Sequence, residues 1–292
     1  MKNILCICLS PAVDATVRIP GWPAYDCVLK DAADSFAVGG KGLNVARWLA
    51  RRGAKVACAG LLGADNALPF EREMAKYGIE DRFQRVPMAT RVNEMFVSPA
   101  GGFKVNRPAF PGLTAESVGF DAAKLVGEGY DMVIASGALP RDFPADTYAK
   151  IVEAARSAGA QVVLDASGAA LVEGAKAHPN VIKPNVEECA ALTGFKPVTD
   201  DDFRRASQEL WKFCDYPIIS AGAAGCWFDG EHVAAPRVNP LDTTAAGDTL
   251  LAEWCYSGDP VIAVAAGSAA CIMKGGEPPP LDLVEQLKGT IR

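Results

Sequence analysis

Residues 239–248 of this chain read Asn-Pro-Leu-Asp-Thr-Thr-Ala-Ala-Gly-Asp, and the mostly apolar run Thr-Leu-Leu-Ala-Glu-Trp follows directly. This pattern predicts a loop of small residues that enters a helix. Small residues leave backbone N–H groups approachable, and a helix N-terminus has partial positive charge, so a phosphate group fits there. The carboxylate of Asp248 is then placed to take a proton from an attacking hydroxyl. The segment is typical of a kinase that acts on an alcohol, or else of a simple capped helix start.

The composition is that of a globular enzyme. The chain has 292 residues, half of them hydrophobic, which is enough for one large α/β domain with a small appendage or for two modest domains. The net charge is −6 and no block rich in Lys or Arg occurs, so we expect no nucleic-acid partner. The apolar runs at the N-terminus and at residues 261–273 are too short for a signal peptide and a membrane span, respectively, so we expect no membrane partner.

Cysteine and histidine usage narrows the chemistry. Nine scattered cysteines without a CxxC pair indicate a reduced, cytoplasmic location. The two histidines, His178 and His232, lack ligand-like spacing, which argues against a His-based zinc site and a Ser-His-Asp triad.

Strand-like and helix-like segments alternate from about residue 129 onward. The predicted strands are 131–135, 161–164, 180–182 and 217–220, and the predicted helices are 144–157, 187–192 and 203–213. Residues 261–273 are predicted to form a buried helix. Such alternation with apolar strands predicts an α/β fold, a mostly parallel central sheet with helices on both faces.

The N-terminal part has a different pattern. Residues 15–19 and 92–98 alternate polar and apolar side chains, and residues 103–105 are predicted to pair with 92–98 across a Gly101-Gly102 turn. Helices are expected at 44–52 and 68–77. We therefore predict one domain over 1–292, with a small β-sheet lid formed by strands within about 12–37 and 88–108.

A second glycine-rich segment, residues 38–47, reads Val-Gly-Gly-Lys-Gly-Leu-Asn-Val-Ala-Arg. It is not a Walker loop, because Gly42 follows the lysine where Ser or Thr is required, and it lacks the G-x-G-x-x-G spacing of a dinucleotide fingerprint. The glycines allow a ligand to approach the backbone, and Lys41 and Asn44 can reach its polar groups. The alternative is a tight turn before an amphipathic helix.

Four segments, in this order along the chain, resemble the PfkB (ribokinase-like) carbohydrate kinases. Residues 39–47 resemble the family's N-terminal signature, 183–188 its Asn-x-x-Glu element, 220–225 its nucleotide loop and 242–248 its C-terminal signature, Asp-Thr-x-Gly-Ala-Gly-Asp. The match spans nearly the whole chain. It implies a ribokinase-like fold and kinase activity on a carbohydrate.

Further segments resemble the branch that phosphorylates sugar phosphates, which includes 1-phosphofructokinases and tagatose-6-phosphate kinases. These segments are 9–14, 90–93, 136–140 and 165–171. Arg91 suits a substrate phosphate through a charge-assisted fork, unless it forms a surface or lid salt bridge. Glu94-Met95 and residues 106–110 depart from the branch pattern. Ala245 replaces the first glycine of the phosphate loop, which costs roughly 1 kcal/mol if that position needs a positive φ and nothing if it is helix-like.

The resemblance implies direct, in-line transfer from ATP with Mg²⁺, and a role for each matching residue. Asp248 is the implied general base, and Ala245, Ala246 and Gly247 form the loop that stabilises the moving phosphoryl group. The residues implied to bind the sugar are Asp14, Lys30, Gly39, Gly40, Lys41, Asn44, Arg91 and Asn93. Those implied to bind the nucleotide are Lys183, Asn185, Glu188, Ser220, Gly222, Gly225 and Ser268. Glu188 is also implied to position magnesium through water, unless it is an ordinary first-turn helix acid.

The sequence predicts an ATP-dependent sugar kinase whose acceptor is a hydroxyl of a sugar phosphate, and a homodimer through the lid. Two alternatives remain open at this point. One is a kinase of the same family that acts on a free sugar or a nucleoside. The other is a non-catalytic homologue that binds sugar or nucleotide, which Ala245 favours and which Asp248 and Glu188 oppose.

Overall fold

The computed structural model of the protein describes residues 2–23, 25–29 and 32–291. The strands in this part are β1 (Asn3–Cys8), β2 (Ala12–Arg18), β3 (Ala33–Gly39), β4 (Lys55–Gly63), β5 (Glu80–Val86), β6 (Val92–Ser98), β7 (Gly101–Val105), β8 (Met132–Ser136), β9 (Gln161–Asp165), β10 (Val181–Ile182), β11 (Tyr216–Ser220), β12 (Cys226–Phe228) and β13 (Glu231–Val233). The α-helices are α1 (Lys41–Arg51), α2 (Leu68–Tyr77), α3 (Ala122–Val126), α4 (Thr147–Ser157), α5 (Gly168–Ala175), α6 (Val186–Thr193), α7 (Asp200–Leu210), α8 (Ala246–Ser257), α9 (Pro260–Ala270) and α10 (Leu281–Lys288).

The main sheet has nine strands in the order β13-β12-β11-β10-β9-β8-β1-β4-β5. In this spatial order, the strands from β11 through β10, β9, β8, β1 and β4 to β5 run parallel to one another. Strands β12 and β13 form an antiparallel hairpin at the opposite edge of the sheet from β5. The prediction of a mostly parallel central sheet is therefore confirmed. None of the helices in the described part is both long and apolar enough to cross a bilayer.

Helices cover both faces of this sheet, as predicted. Helices α1, α2, α8, α9 and α10 contribute to one hydrophobic core, and α3 to α7 contribute to the other. The burial of strand β1 on both faces explains its unbroken apolar sequence. Ile4, Cys6 and Cys8 face the first core, whereas Leu5 and Ile7 face the second. A central parallel strand is buried on both faces, so it has no polar side to alternate with.

The predicted small sheet is also present, with the strand order β3-β2-β6-β7. Strand β2 pairs antiparallel with β3 and parallel with β6, and β6 and β7 form a hairpin. The predicted turn at Gly101-Gly102 is wrong. Ser98 pairs with Gly101, so the turn is Pro99–Ala100, and the hydroxyl of Ser98 accepts a hydrogen bond from the N–H of Ala100 at 3.2 Å.

Strands β4 and β5 and the β12–β13 hairpin were not predicted from the sequence, and β3 was predicted only as part of the lid range 12–37. Strand β5, Glu-Asp-Arg-Phe-Gln-Arg-Val, lies at the edge of the main sheet and exposes most of its charged side chains, so it lacks the apolar signal of a central strand. Strands β12 and β13 have three residues each, which is too short for a periodic pattern to be recognised.

The glycine at position 42 explains how α1 is placed. A Cβ atom there would lie 2.4 Å from the carbonyl oxygen of Ile7 and 2.8 Å from Cβ of Cys8. Only glycine therefore allows the first turn of α1, which includes Lys41 and Asn44, to lie directly on β1.

We predict that Gly42→Ala lowers the free energy of unfolding by about 1–3 kcal/mol, because the added methyl group forces α1 away from β1. Urea denaturation measures the change. Gly289→Ala is the control, since Gly289 has φ −63° and its nearest neighbour to an added Cβ is at 3.5 Å. That control is expected to change the free energy by less than about 0.5 kcal/mol. Equal effects of the two substitutions would contradict the close packing.

Candidate active site

The candidate site lies at the carboxyl ends of the central parallel strands, where open α/β sheets bind their ligands. Asp165 is the last residue of β9, Lys183 follows β10, and Ser220 is the last residue of β11. The N-termini of α1 and α8 bring Asn44 and Asp248 to the same place, because Asn44 donates a hydrogen bond from Nδ2 to Oδ2 of Asp248 at 2.8 Å.

The small-residue segment forms the start of α8, as the sequence predicted. Ala245 is the N-cap residue with φ −103° and ψ 6°, so the position does not need a positive φ and alanine causes no backbone strain. The N–H of Ala246 lies 3.3 Å from the carbonyl oxygen of Thr243. The N–H groups of Gly247 and Asp248 have no acceptor among the described residues. These two groups, at the positive end of the helix, form a site for an anion.

Asp248 is a buried carboxylate with an unusual proton affinity. Its side chain is 3 % exposed. The pKa of Asp248 is raised to about 6. Burial is the main cause and the nearby Asp165 adds to the rise, whereas Lys41, the hydrogen bond from Asn44 and Lys183 act in the opposite direction. A carboxylate with a pKa near neutral pH is a better proton acceptor than an exposed aspartate and is still mostly ionised at pH 7.

Two lysines converge on Asp165. Its Oδ1 atom lies 3.0 Å from Nζ of Lys41 and 3.4 Å from Nζ of Lys183, and the carboxylate is fully buried. Burial alone would raise the pKa of Asp165, but Lys183 and Lys41 outweigh it and hold the pKa below the ordinary value. Nζ of Lys183 also lies 3.5 Å from the position of a Cβ on Gly247. Both ammonium groups therefore flank the anion site at the start of α8.

A cleft of about 580 Å³ lies between the lid and the segments 241–244 and 274–276. Four of the predicted sugar-binding residues line it: Asp14, Gly39, Asn44 and Asn93. Asn93 donates from Nδ2 to Oδ1 of Asp14 at 3.1 Å, and Nζ of Lys104 lies 3.4 Å from the same oxygen. Gly40 and Lys41 adjoin this cleft at the start of α1. Lys30 lies outside the described residues.

Arg91 does not line the cleft. Its guanidinium donates to the backbone carbonyls of Ser10, Pro11 and Arg107 at 3.3, 3.3 and 2.7 Å. The carbonyl oxygen of Ser10, which follows β1, also lies 3.6 Å from the position of a Cβ on Gly40. Arg91 therefore adjoins the glycine turn through its contact with Ser10. Burial lowers the pKa of Arg91. Three of its five N–H groups are thus used, and two have no partner among the described residues.

The departure from the branch pattern at Glu94 does not leave an unpaired acid. Its Oε2 atom accepts a hydrogen bond from Nη2 of Arg107 at 2.6 Å. Met95 faces the cleft, and its partner across the β6–β7 hairpin is Lys104, which lines the same cleft. The lid therefore presents a cation to the cleft from β7.

The residues predicted to bind the nucleotide do not all lie in one place. Asn185 and Ser220 form a bridge between neighbouring segments, and Gly222 and Gly225 shape the turn that follows β11. Ser268 is buried in α9. Helix α9 packs closely on α8 at the neighbouring Gly267, because a Cβ atom there would lie 3.0 Å from the carbonyl oxygen of Ala246. Lys183 points toward Asp165 and Gly247, so it lies beside the start of α8.

Glu188 forms a capping box with Asn185 at the start of α6. Its Oε2 atom accepts a hydrogen bond from the N–H of Asn185 at 2.9 Å, as an ordinary first-turn acid does. No group of three or more His, Cys, Asp or Glu side chains that could hold a metal ion occurs in the described part of the chain. The role of Glu188 toward magnesium stays a prediction.

Asp165 and Arg47 are the site residues to which sequence reasoning gave no role. Asp165 was recognised only as part of a motif, although an acid at the carboxyl end of an apolar strand is a usable signal in an α/β fold. Arg47 is buried and donates to the side chain of Asn44. Because a helix over 44–52 was predicted and Arg47 follows Asn44 by three residues, this spacing was a usable signal for the contact.

A buried carboxylate, N–H groups at a helix start and two lysines beside a cleft suit the transfer of a phosphoryl group to an alcohol. The profile of the pfkB family carbohydrate kinases matches residues 3–270 of this chain. The chain therefore belongs to the pfkB family of carbohydrate kinases, which are phosphotransferases with an alcohol group as acceptor, and the resemblance stated from the sequence is confirmed.

Relatives agree with this assignment. The 1-phosphofructokinase of Rhodobacter capsulatus is 39% identical over 260 residues, which are 86% of this chain and 82% of that protein. The 1-phosphofructokinase of Vibrio cholerae is 32% identical over 262 residues, which are 87% of this chain and 82% of that protein. The crystal structure of phosphofructokinase-2 from Escherichia coli in complex with substrates and products has the same fold, with a TM-score of 0.88, 23% identity and coverage of 100% of this chain and 99% of that one.

We predict that Asp248→Asn makes the ligand-free protein more stable at pH 7. The pKa of Asp248 is raised from 3.8 to about 6, so this group's contribution to stability falls as the pH rises through that window and does not recover above it. Asparagine keeps the shape and can still accept the hydrogen bond from Asn44. The difference in unfolding free energy should grow from near zero at about pH 4 to on the order of 1–3 kcal/mol at about pH 7.

Urea denaturation of both proteins between these pH values measures this difference. A difference that does not vary with pH, or a variant less stable than the wild type at neutral pH, would contradict the burial cost assigned to the carboxylate.

Proposed function

We propose that this chain is an ATP-dependent 1-phosphofructokinase, which transfers the γ-phosphoryl group of ATP to a hydroxyl of fructose 1-phosphate. The observation that supports the chemistry most directly is the buried carboxylate of Asp248 beside the unpaired N–H groups at the start of α8. The relatives at 39% and 32% identity support the choice of sugar. The cleft supports a phosphorylated substrate, because Arg18, Lys104 and Lys274 line it.

In this proposal Asp248 is the general base. Its Oδ2 atom accepts the hydrogen bond from Asn44, and no described residue donates to Oδ1. Oδ1 is therefore available to the acceptor hydroxyl of a sugar in the cleft. An alcohol attacks poorly unless its proton is removed in the transition state, and a positioned carboxylate removes it. Asp14 and Asn93 hold other hydroxyl groups of the sugar.

The transferred phosphoryl group lies at the N-terminus of α8. The N–H groups of Gly247 and Asp248 stabilise its charge, and Lys41 and Lys183 flank it. The nucleotide contacts Asn185 and the loop from Ser220 to Gly225. A magnesium ion fits beside Glu188, because a hard cation prefers carboxylate oxygens. When bound, the ion neutralises phosphate charge.

A substrate panel tests this function. We expect kcat/KM for fructose 1-phosphate to exceed the values for fructose 6-phosphate, tagatose 6-phosphate, free fructose and nucleosides by at least about tenfold, roughly 1.4 kcal/mol in transition-state binding. A free sugar or nucleoside as the best substrate would move the protein to another branch of the family. Ligand-dependent melting without turnover of any of these compounds would instead favour a non-catalytic binding protein.

We also propose that Arg91, which adjoins the glycine turn beside the cleft rather than lining the cleft itself, binds the substrate phosphate with its two remaining N–H groups. Arg91→Ala should raise KM for fructose 1-phosphate by at least about tenfold and leave KM for ATP unchanged. Arg85→Ala is the control, because Arg85 pairs with Glu71 and Asp81 on the surface of β5. Steady-state kinetics measures both variants. Equal KM values for wild type and Arg91→Ala would show that Arg91 only anchors the backbone carbonyls.

The lid is proposed to form the interface of a homodimer. Large apolar side chains are exposed on and beside its strands, outside the cleft face that carries Met95: Trp22, Tyr25, Val28, Leu29, Phe36, Phe103 and Val105. Phe103 stacks on Phe96 and Trp22 with ring centroids 5.1 and 5.5 Å away, so the aromatic surface is continuous. A second copy of the lid would cover this surface and protect the edge strands β3 and β7.

Light scattering at micromolar concentration is expected to show a dimer. Phe36→Asp combined with Phe103→Asp should convert it to a monomer, because each buries a charge in the apolar interface. Val198→Asp is the control, since Val198 is even more exposed than Phe36 and Phe103 but lies outside the lid, before α7. A monomeric wild type at this concentration would contradict the proposed interface.

A further inference from the structure

Arg47 is a buried arginine on α1 that the mechanism above does not use. It is only 3 % exposed, although its guanidinium is charged at every physiological pH. Its Nη1 atom donates to Oε1 of Glu73 on α2 at 2.9 Å, and its Nη2 atom donates to Oδ1 of Asn44. Burial of such a group is costly, so its contacts identify what the charge does there.

The contact with Asn44 determines which way the side-chain amide of Asn44 points. A guanidinium has only donors, so the atom of Asn44 that faces it must be the oxygen. The NH₂ group of the same amide is then directed to the other side, where Nδ2 donates to Oδ2 of Asp248 at 2.8 Å. Glu73, Arg47, Asn44 and Asp248 thus form one chain of hydrogen bonds that runs from α2 through α1 to α8.

We propose that Arg47 is a positioning residue for catalysis: it fixes the amide of Asn44 with its NH₂ group toward Asp248, and so keeps Asp248 able to accept the proton of the substrate hydroxyl. This inference rests on the proposed function of Asp248 as the base. It adds a residue that touches neither substrate nor nucleotide in the proposed site.

The chemistry of the alternative amide orientation explains why this matters. If Asn44 presented its oxygen to Oδ2 of Asp248, two acceptors would face each other, and only a protonated Asp248 would satisfy the pair. A protonated carboxyl group cannot act as a base. The other charged groups near Asp248 are Lys41, Asp165 and Lys183, and none of them contacts the amide of Asn44, so they cannot fix its orientation.

The turn that lines the substrate cleft covers the Arg47–Asn44 contact. A Cβ atom on Gly276 would lie 3.2 Å from Nη2 of Arg47 and 3.5 Å from Oδ1 of Asn44. Gly276 also lines the cleft. The hydrogen bond therefore lies beneath the backbone of this turn, in an environment of low polarity where a charge-assisted bond is strong.

The test uses Arg47→Met, which keeps an apolar stem of similar length and removes the donors. With ATP and fructose 1-phosphate, we expect kcat at pH 6 to fall by about twofold or more, because an upward shift of half a pH unit or more removes at least about half of the ionised base near its pKa. The acidic limb of the kcat–pH profile should move upward by about half a pH unit or more, because the carboxylate loses its fixed donor. The loss should therefore be larger at pH 6 than at pH 8.5 in the same experiment, while KM for ATP stays unchanged. Arg47→Lys, which keeps one donor group, should shift the profile less.

Trp48→Phe is the matched control. Trp48 is the next residue of α1 and donates from Nε1 to Oε2 of Glu253 at 2.8 Å, so it also joins α1 to α8. Its loss should lower the melting temperature but leave the pH profile of kcat in place. If Arg47→Met only lowered the melting temperature, or lowered kcat equally at all pH values, the positioning role would be overturned.

A second readout does not require turnover. The carboxyl carbon of Asp248 is titrated by ¹³C NMR in ligand-free protein labelled at aspartate, with Asp248→Asn to assign the signal. Arg47→Met, or Arg47→Lys if the methionine variant does not fold, should raise the observed pKa of Asp248. An unchanged titration would overturn the inference. A wild type that phosphorylates none of the sugars would overturn the proposed function instead, and the titration would still decide the effect of Arg47 on Asp248.

Discussion

The hydrogen bond between Asn44 and Asp248 joins the glycine-rich segment 38–47 to the small-residue segment 239–248, between residues 204 apart in the sequence. The rest of the site depends on it, because it fixes α1 against α8 at the point where both helices begin. Gly42 lets α1 lie directly on β1, which places Asn44. The small residues before Asp248 let α8 start beside it. A carboxylate buried in this way loses hydration, and the donor from Asn44 partly replaces it.

The charges around this bond are balanced before any ligand arrives. Asp165 and Asp248 provide two carboxylates, and Lys41 and Lys183 provide two ammonium groups within hydrogen-bonding distance of Asp165. Asp165 thus holds both lysines beside the start of α8, so they need little reorganisation when a phosphoryl group enters. Such preorganisation is the main source of electrostatic catalysis. The raised pKa of Asp248 has another cause, its burial, which lowers the stability of the protein at neutral pH and makes the carboxylate more basic.

Much of this arrangement was predictable from the sequence because local patterns determine it. The alternation of apolar strand-like segments with helix-like segments predicted the parallel sheet. The small residues before Asp248 predicted the start of a helix. The edge strand β5 escaped prediction because its charged residues face solvent. The conformation of Ala245 could not be known from its identity alone, since either sign of φ was compatible with the pattern. Asp165 gained its role only when the fold brought Lys41 and Lys183 beside it, and Arg47 only when the fold brought Asp248 to the far side of Asn44. No local pattern contains those distances.

The claim that Asp248 removes the proton of the acceptor hydroxyl is tested most directly by single-turnover phosphoryl transfer in Asp248→Asn. With saturating ATP and fructose 1-phosphate, the rate should fall by about 10²–10⁴-fold, while the dissociation constant of ATP changes little. Asparagine preserves the shape and the hydrogen bond from Asn44, so a loss of this size reports the missing base. A variant that keeps more than about a tenth of the wild-type rate would contradict this role for Asp248.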